Sequence, residues 1–191
     1  VDVSAGHTVQ TRLQPQPLEG RVKWQIGKPD GTPTGFRNAS LLPSAHPSDA
    51  RMAAWGPVTY DVEASKPDDF PAAQWRDINT PTRISFVLAP DEVRDYQLRL
   101  FISLAQAGGR PQVNVNQRWN APVPPAANQP NSRGITRGTY RGNNSLFEVR
   151  VPAAALHAGA NSLEIDVTSG QAGSGFLSPG FVFDSVQWVP E

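Results

Sequence analysis

Apolar and polar residues alternate with a period of two along most of this chain. Val9 to Leu13 alternates, and Val22-Lys23-Trp24-Gln25-Ile26 does so again before stopping at Gly27. Ile84 to Leu88 is a third run, ended by Ala89-Pro90, and Tyr96 to Ile102 is a fourth. Val113 to Asn116, Leu146 to Val151, Leu163 to Val167 and Phe181 to Val189 complete the series. Side chains on a strand point alternately to its two faces, so each run predicts a strand with one buried side. Many such strands at irregular spacing predict an antiparallel β-sandwich. Helical signals are weak. Ala153 to His157 predicts one turn closed by Gly159, and Val58 to Val62 is ambiguous because Pro57 limits what can start there.

Two long segments break the alternation. Gly27 to Trp75 holds seven prolines, and Arg118 to Asn144 holds Pro122, Pro124, Pro125 and Pro130, then three glycines. Loops of this length are uncommon inside a compact domain, and two readings fit them: a functional loop, or an ordered loop that covers a sheet edge. The first residues look separate. Val1 to Leu13 reads as the last strand of a preceding unit and Gln14-Pro15-Gln16-Pro17 as a stiff connector. This divides the chain into 1–17 and a main all-β domain over 18–191.

Composition narrows the function. The chain has 191 residues, with 17 Lys+Arg balanced by 17 Asp+Glu. That argues against a general nucleic-acid binder and against a polybasic membrane-surface module. Cysteine is absent, which excludes disulfides and thiolate sites, and no apolar run is long enough for a spanning helix. Val1-Asp2-Val3-Ser4 has neither an initiator Met nor a signal peptide, as expected of a mature product or an excised fragment. The cations are 14 Arg against 3 Lys. Arg suits bidentate recognition of carboxylates, although a GC-rich genome produces the same bias.

Candidate chemistry is sparse. His46-Pro47-Ser48-Asp49 contains the residue types of a serine triad, but a triad is assembled from separate elements, and no Gly-x-Ser-x-Gly turn is present. Caps for a following turn explain Ser48 and Asp49. His7, His46 and His157 are isolated, which disfavours a transition-metal site. Calcium needs only oxygen ligands, and Glu19 and Asp184 can approach if the first and last strands are neighbours. No cofactor is otherwise required. The most unusual stretch is Arg133 to Asn144, in which Arg133, Arg137 and Arg141 are each followed by glycine. Guanidinium groups match carboxylates, and Gly134, Gly138 and Gly142 permit close approach. Tyr140 and Trp119 can stack on a sugar ring, while Asn143 and Asn144 offer donors and acceptors. Together these seven side chains, Trp119, Arg133, Arg137, Tyr140, Arg141, Asn143 and Asn144, suit an acidic polysaccharide. The alternative is that the arginines brace the loop against internal carboxylates. Trp24 and Trp188 are expected in the core, and Trp119, flanked by Arg118 and Asn120, at the surface. Asn38-Ala39-Ser40 and Asn143-Asn144-Ser145 are glycosylation sequons.

Several strings carry a resemblance. They are Gly31-Thr32-Pro33, Gly35-Phe36-Arg37-Asn38-Ala39, His46-Pro47-Ser48-Asp49 with Arg51-Met52, Trp55-Gly56-Pro57 with Tyr60, and Asp69-Phe70-Pro71 with Ala73-Gln74. Ala107-Gly108-Gly109-Arg110-Pro111, Val113-Asn114-Val115-Asn116, Arg133 to Asn144 and Phe176-Leu177-Ser178-Pro179 follow in order. The chain thus resembles, over roughly 20–189, the C-terminal domain of rhamnogalacturonan lyases of polysaccharide lyase family 4. The resemblance implies a jelly-roll, carbohydrate-binding-module-like domain, with residues 1–13 the end of a fibronectin-III-like domain. It implies a secreted parent that cleaves rhamnogalacturonan I in pectin by β-elimination, with the catalytic Lys and His in another domain. No position here matches those motifs, so no catalytic residue carries over. The expected partners are the acidic polysaccharide and the parent's catalytic domain. A module that braces that domain without touching sugar is the alternative.

Overall fold

A computed structural model describes residues 22–44, 55–130, 142–174 and 178–191. Ten strands form two sheets, with short 3-10 turns and no α-helix among the described residues. The first sheet is ordered β1 (Trp24–Gly27), β10 (Gly180–Pro190), β5 (Tyr96–Gln106), β8 (Ser145–Val151), with β3 (Ala73–Trp75) also paired to β10. The second is ordered β2 (Val58–Asp61), β4 (Thr82–Leu88), β9 (Gly159–Thr168), β6 (Arg110–Val115), β7 (Trp119–Asn120). Every predicted run within the described residues is a strand; Val9 to Leu13 and the boundary at residue 17 lie outside them. The expected turn at Ala153 is a 3-10 turn over Ala153–Ala155.

The closing strand lies beside the first, the arrangement on which an approach of Glu19 and Asp184 depended: β1 pairs antiparallel with β10, Trp24 opposite Trp188. One pair departs from the antiparallel pattern. β2 runs parallel to β4 because the chain leaves the second sheet after β2, forms β3 in the first sheet, and returns to the second in its original direction. Pro57 does not prevent β2, since it stands just before the first paired residue.

The alternation becomes a core between the sheets. Trp188 is fully buried and stacks on Trp24 at 5.7 Å and on Tyr96 at 4.7 Å, with Phe86 of β4 tilted against it at 5.3 Å. A second aromatic group gathers around Phe70, whose ring meets Phe36, Tyr60 and Phe183 at 5.4, 5.4 and 5.0 Å. Phe36, Leu42, Trp55 and Phe70 all come from the proline-rich 27–75 segment and are all buried. Its described part is therefore a structural cover, and Trp55 and Trp75 are core residues.

β10 is buried on both faces from Gly180 to Val189. Its register against β5 shifts twice, between Val182 and Phe183 and between Phe183 and Ser185. Asp184 is the residue left without a β5 partner. A bulge of this kind re-aims a side chain, and here it turns the Asp184 carboxylate toward the Asp30–Thr32 turn. At the start of β10 the backbone of Gly180 approaches Gly109 so closely that a Cβ on Gly109 would sit 2.5 Å from the Gly180 carbonyl oxygen. The neighbour is main chain and cannot swing aside. Gly109→Ala should therefore cost about 2 kcal/mol, the usual scale of overpacking; a urea midpoint matching wild type would refute this.

Candidate functional site

The described candidate residues begin with Trp119, and a hairpin fixes it. Val115 and Trp119 are opposed in the β6–β7 pair, and the Arg118 N–H donates to the Val115 carbonyl at 3.0 Å. The two central residues of this turn, Asn116 and Gln117, are both left-handed, with φ of 53° and 55°. That is the mirror-image turn that matches strand twist, and Asn tolerates it better than most residues. The Asn116 side chain then locks the hairpin to the sandwich. Its amide donates to the Ala155 carbonyl at 2.8 Å and to Asn161 Oδ1 at 2.9 Å, and its own oxygen accepts from the Ser162 N–H at 2.8 Å.

Trp119 is half-buried, with one part packed on the core. The remainder lines a groove of about 510 Å³ between β7 and β8, the edge strands of the two sheets. Pro122 and Pro152 extend the apolar wall, and Asp95, Glu148 and Arg150 supply the polar one. Asp95 accepts from the Ala153 N–H and from Arg150 Nη2, both at 2.8 Å. The Ala153 hydrogen bond, with a smaller contribution from Arg150, holds the Asp95 carboxyl below its ordinary pKa. Arg150 Nε lies 2.9 Å from Glu191 Oε2, and Glu148 pairs with Arg99 at 3.1 Å. The cation of the described lining, Arg150, therefore already faces two carboxylates.

Asn143 and Asn144 lie elsewhere. Both precede β8, whereas the groove meets the far half of that strand. At about 3.3 Å per residue the separation along β8 is roughly 15–20 Å. Asn143 ties the 121–130 segment to β8: its amide donates to the Asn128 carbonyl at 2.9 Å, and its N–H donates to Gln129 Oε1 at 3.1 Å. Asn144 sits on the Asp30–Thr32 turn, its Nδ2 only 2.6 Å from where a Cβ on Gly31 would stand. The structure thus separates Trp119 from the two asparagines. Arg133, Arg137, Tyr140 and Arg141 lie outside the described residues, as do Glu19 and His46 to Asp49.

Asp184 is 6% exposed. Its Oδ1 accepts from the N–H groups of Asp30 at 3.1 Å, Gly31 at 2.9 Å and Thr32 at 3.2 Å. Burial raises its pKa above the ordinary value against the pull of these three donors, and the nearby Asp30 charge adds to the rise. This oxygen is an acceptor for N–H groups, and a cation placed on it would have to compete with all three. Among the described residues no cluster of three or more His, Cys, Asp or Glu can hold a metal ion, and no helix is long and apolar enough to cross a membrane.

The described residues thus form an all-β sandwich of two sheets, with Trp119 the aromatic side chain of its edge groove. Residues 22–188 match the family described as "CBM-like: Polysaccharide lyase family 4, domain III", and the chain belongs to that family. It is 45% identical over 187 residues to the "Probable rhamnogalacturonate lyase A" of Aspergillus fumigatus, covering 98% of this chain and 35% of the relative. It is 44% identical over 188 residues to the "Putative rhamnogalacturonase" of Neurospora crassa, with the same 98% and 35% coverage. The "Rhamnogalacturonate lyase A" of Aspergillus aculeatus is 41% identical over 187 residues, again with 98% and 35% coverage. The chain therefore spans about a third of the length of the curated relatives it matches.

Proposed function

We propose that this chain is the noncatalytic, jelly-roll carbohydrate-binding-like module of an extracellular rhamnogalacturonan lyase acting on pectin. The observation that carries the reading is the domain III match across nearly the whole sandwich. Holding such a module on a polymer raises the effective concentration of a tethered catalytic domain. Cleavage by β-elimination needs a proton-abstracting base beside a group that neutralises the uronate carboxylate. The described histidine, His157, is exposed and faces the Asn116 amide at 3.5 Å. Among the described residues no such pairing surrounds it. The acidic polymer would be met by Arg133, Arg137, Tyr140 and Arg141.

A second reading has its own observation. Leu146 is 43% exposed and lies opposite the half-buried Phe101 on the outer face of the first sheet. That patch is suited to bracing a neighbouring domain without sugar. Affinity electrophoresis separates the two. Gels containing rhamnogalacturonan I should retard the chain more than gels of neutral glucan, while solutions of the polymer should show no rise in unsaturated-uronate absorbance. Equal mobility in all gels supports the brace, and a steady absorbance rise defeats the noncatalytic reading.

A further inference from the structure

The groove beside Trp119 has a charge pattern that specifies its ligand more narrowly than the family does. Its lining carries two carboxylates, Asp95 and Glu148, against one guanidinium, Arg150. Arg150 already contacts both Asp95 and Glu191, and Glu148 contacts Arg99. Counting those partners, three carboxylates face two cations. Among the described lining residues and their ion partners, a uronate would meet more carboxylate than guanidinium, and no guanidinium without a carboxylate partner. The low Asp95 pKa keeps that carboxylate ionised through neutral pH.

The remaining surface is the half-buried indole of Trp119 with the rings of Pro122 and Pro152. An apolar wall with a few convergent acceptors is the usual form of a small-ligand site. Ionised carboxylates are acceptors only, so they match the hydroxyl donors of a sugar and repel an anion. Glu148 is placed for this, since its side chain is 46% exposed even while paired. The hairpin locked by Asn116 holds the indole in place before any ligand arrives.

We infer that the Trp119 groove is a subsite for a neutral 6-deoxyhexopyranose, one ring face and its methyl group against Trp119, Pro122 and Pro152, and its hydroxyls toward Glu148 and Asp95. This rests on the carbohydrate-module reading above and assigns the groove to the rhamnosyl rather than the galacturonosyl unit of the proposed polymer. It also removes Trp119 from the acidic-sugar site expected around the arginine loop.

The test is an NMR titration that follows the tryptophan indole N–H signals, the Trp119 signal being assigned by its loss in Trp119→Phe. The probes are methyl α-L-rhamnopyranoside and methyl α-D-galactopyranosiduronate. The rhamnoside should shift the Trp119 signal saturably, with the same affinity at low and high salt, because no charge is screened. Trp119→Ala should weaken rhamnoside binding about tenfold or more. Since Trp119 also touches the core, the exposed Pro122→Asp provides a second variant, expected to weaken it several-fold with an unchanged unfolding midpoint. A Trp119 response to the galacturonide alone, or unaltered rhamnoside affinity in both variants, overturns the inference. Retardation in rhamnogalacturonan gels without any rhamnoside response at Trp119 overturns the inference alone. Absence of both defeats it together with the carbohydrate-module reading.

Discussion

Replacing Trp188 by alanine should lower the stability of the domain by about 4 kcal/mol, the range found for large buried aromatics. Trp188 is fully buried, and its ring lies between the nearly parallel rings of Trp24 and Tyr96, with interplanar angles of 6° and 14°. Phe86 reaches it from the opposite sheet. One side chain thus joins β1, β10 and β5 to β4, and its removal leaves a cavity that no single neighbour can fill. Equilibrium urea unfolding should show a midpoint shift of that size at an unchanged slope. A loss under about 1 kcal/mol would mean that the neighbouring rings collapse into the space.

Asp184→Ala should cost about 3 kcal/mol, because the backbone N–H groups of Asp30, Gly31 and Thr32 lose their common acceptor. Asp184→Asn keeps an oxygen acceptor and removes a desolvated charge, so it should match or exceed wild type at pH 7. The pH dependence follows from the raised pKa of Asp184. A carboxyl whose folded pKa lies above its unfolded value destabilises the fold when ionised. That cost is full above the folded pKa and disappears as pH falls below the unfolded one. The advantage of the asparagine variant should therefore shrink on acidification through the raised pKa. Asp61, Glu92 and Asp95 act in the opposite sense, since their lowered values make their contributions fade as pH falls through the folded pKa of each. Unfolding curves for the three proteins at pH 7 and about pH 4 would check the sign. If the asparagine variant were as damaged as the alanine one, and EDTA lowered only the wild-type midpoint, Asp184 would be a cation ligand, as the pairing with Glu19 anticipates.

The strands were legible because burial on one face imposes the period of two that the sequence displays. β9 shows this directly, with buried residues at Asn161, Leu163, Ile165 and Val167 alternating with half-buried ones. Elements without that signature were missed or left open. β3 is three residues with every side chain buried, so no alternation exists to be seen. Its end is held by Asn79, whose side chain bonds Trp75 N–H and the Ala73 carbonyl at 2.7 Å each, a tertiary tie with no local pattern. β7 has only two residues. Trp119 could be placed at the surface because polar residues flank it, and the structure leaves it half-buried at the groove. Its groove partners could not be singled out, since Glu148 and Arg150 read as ordinary outward residues of a strand and Asp95 as part of a turn. Their convergence depends on which edges of two sheets meet. Asn143 and Asn144 looked like free amides in a polar run, but the Asn143 side chain donates to the Asn128 carbonyl and that of Asn144 packs beside Gly31.

The antiparallel pairing of β1 with β10 has a mechanical consequence. The beginning of β1 and the end of β10 lie at the same end of the sandwich, with the Lys23 N–H donating to the Trp188 carbonyl at 2.8 Å. Ladder hydrogen bonds run perpendicular to their strands, so tension applied between those two points acts along the bonds and peels them one after another. The same ladder pulled from opposite ends would have to shear all of its bonds at once. The first pair to part is Trp24 with Trp188, the pair that carries the indole stack. The domain therefore keeps this indole stack where a pull between the start of β1 and the end of β10 would begin to unzip the sheet.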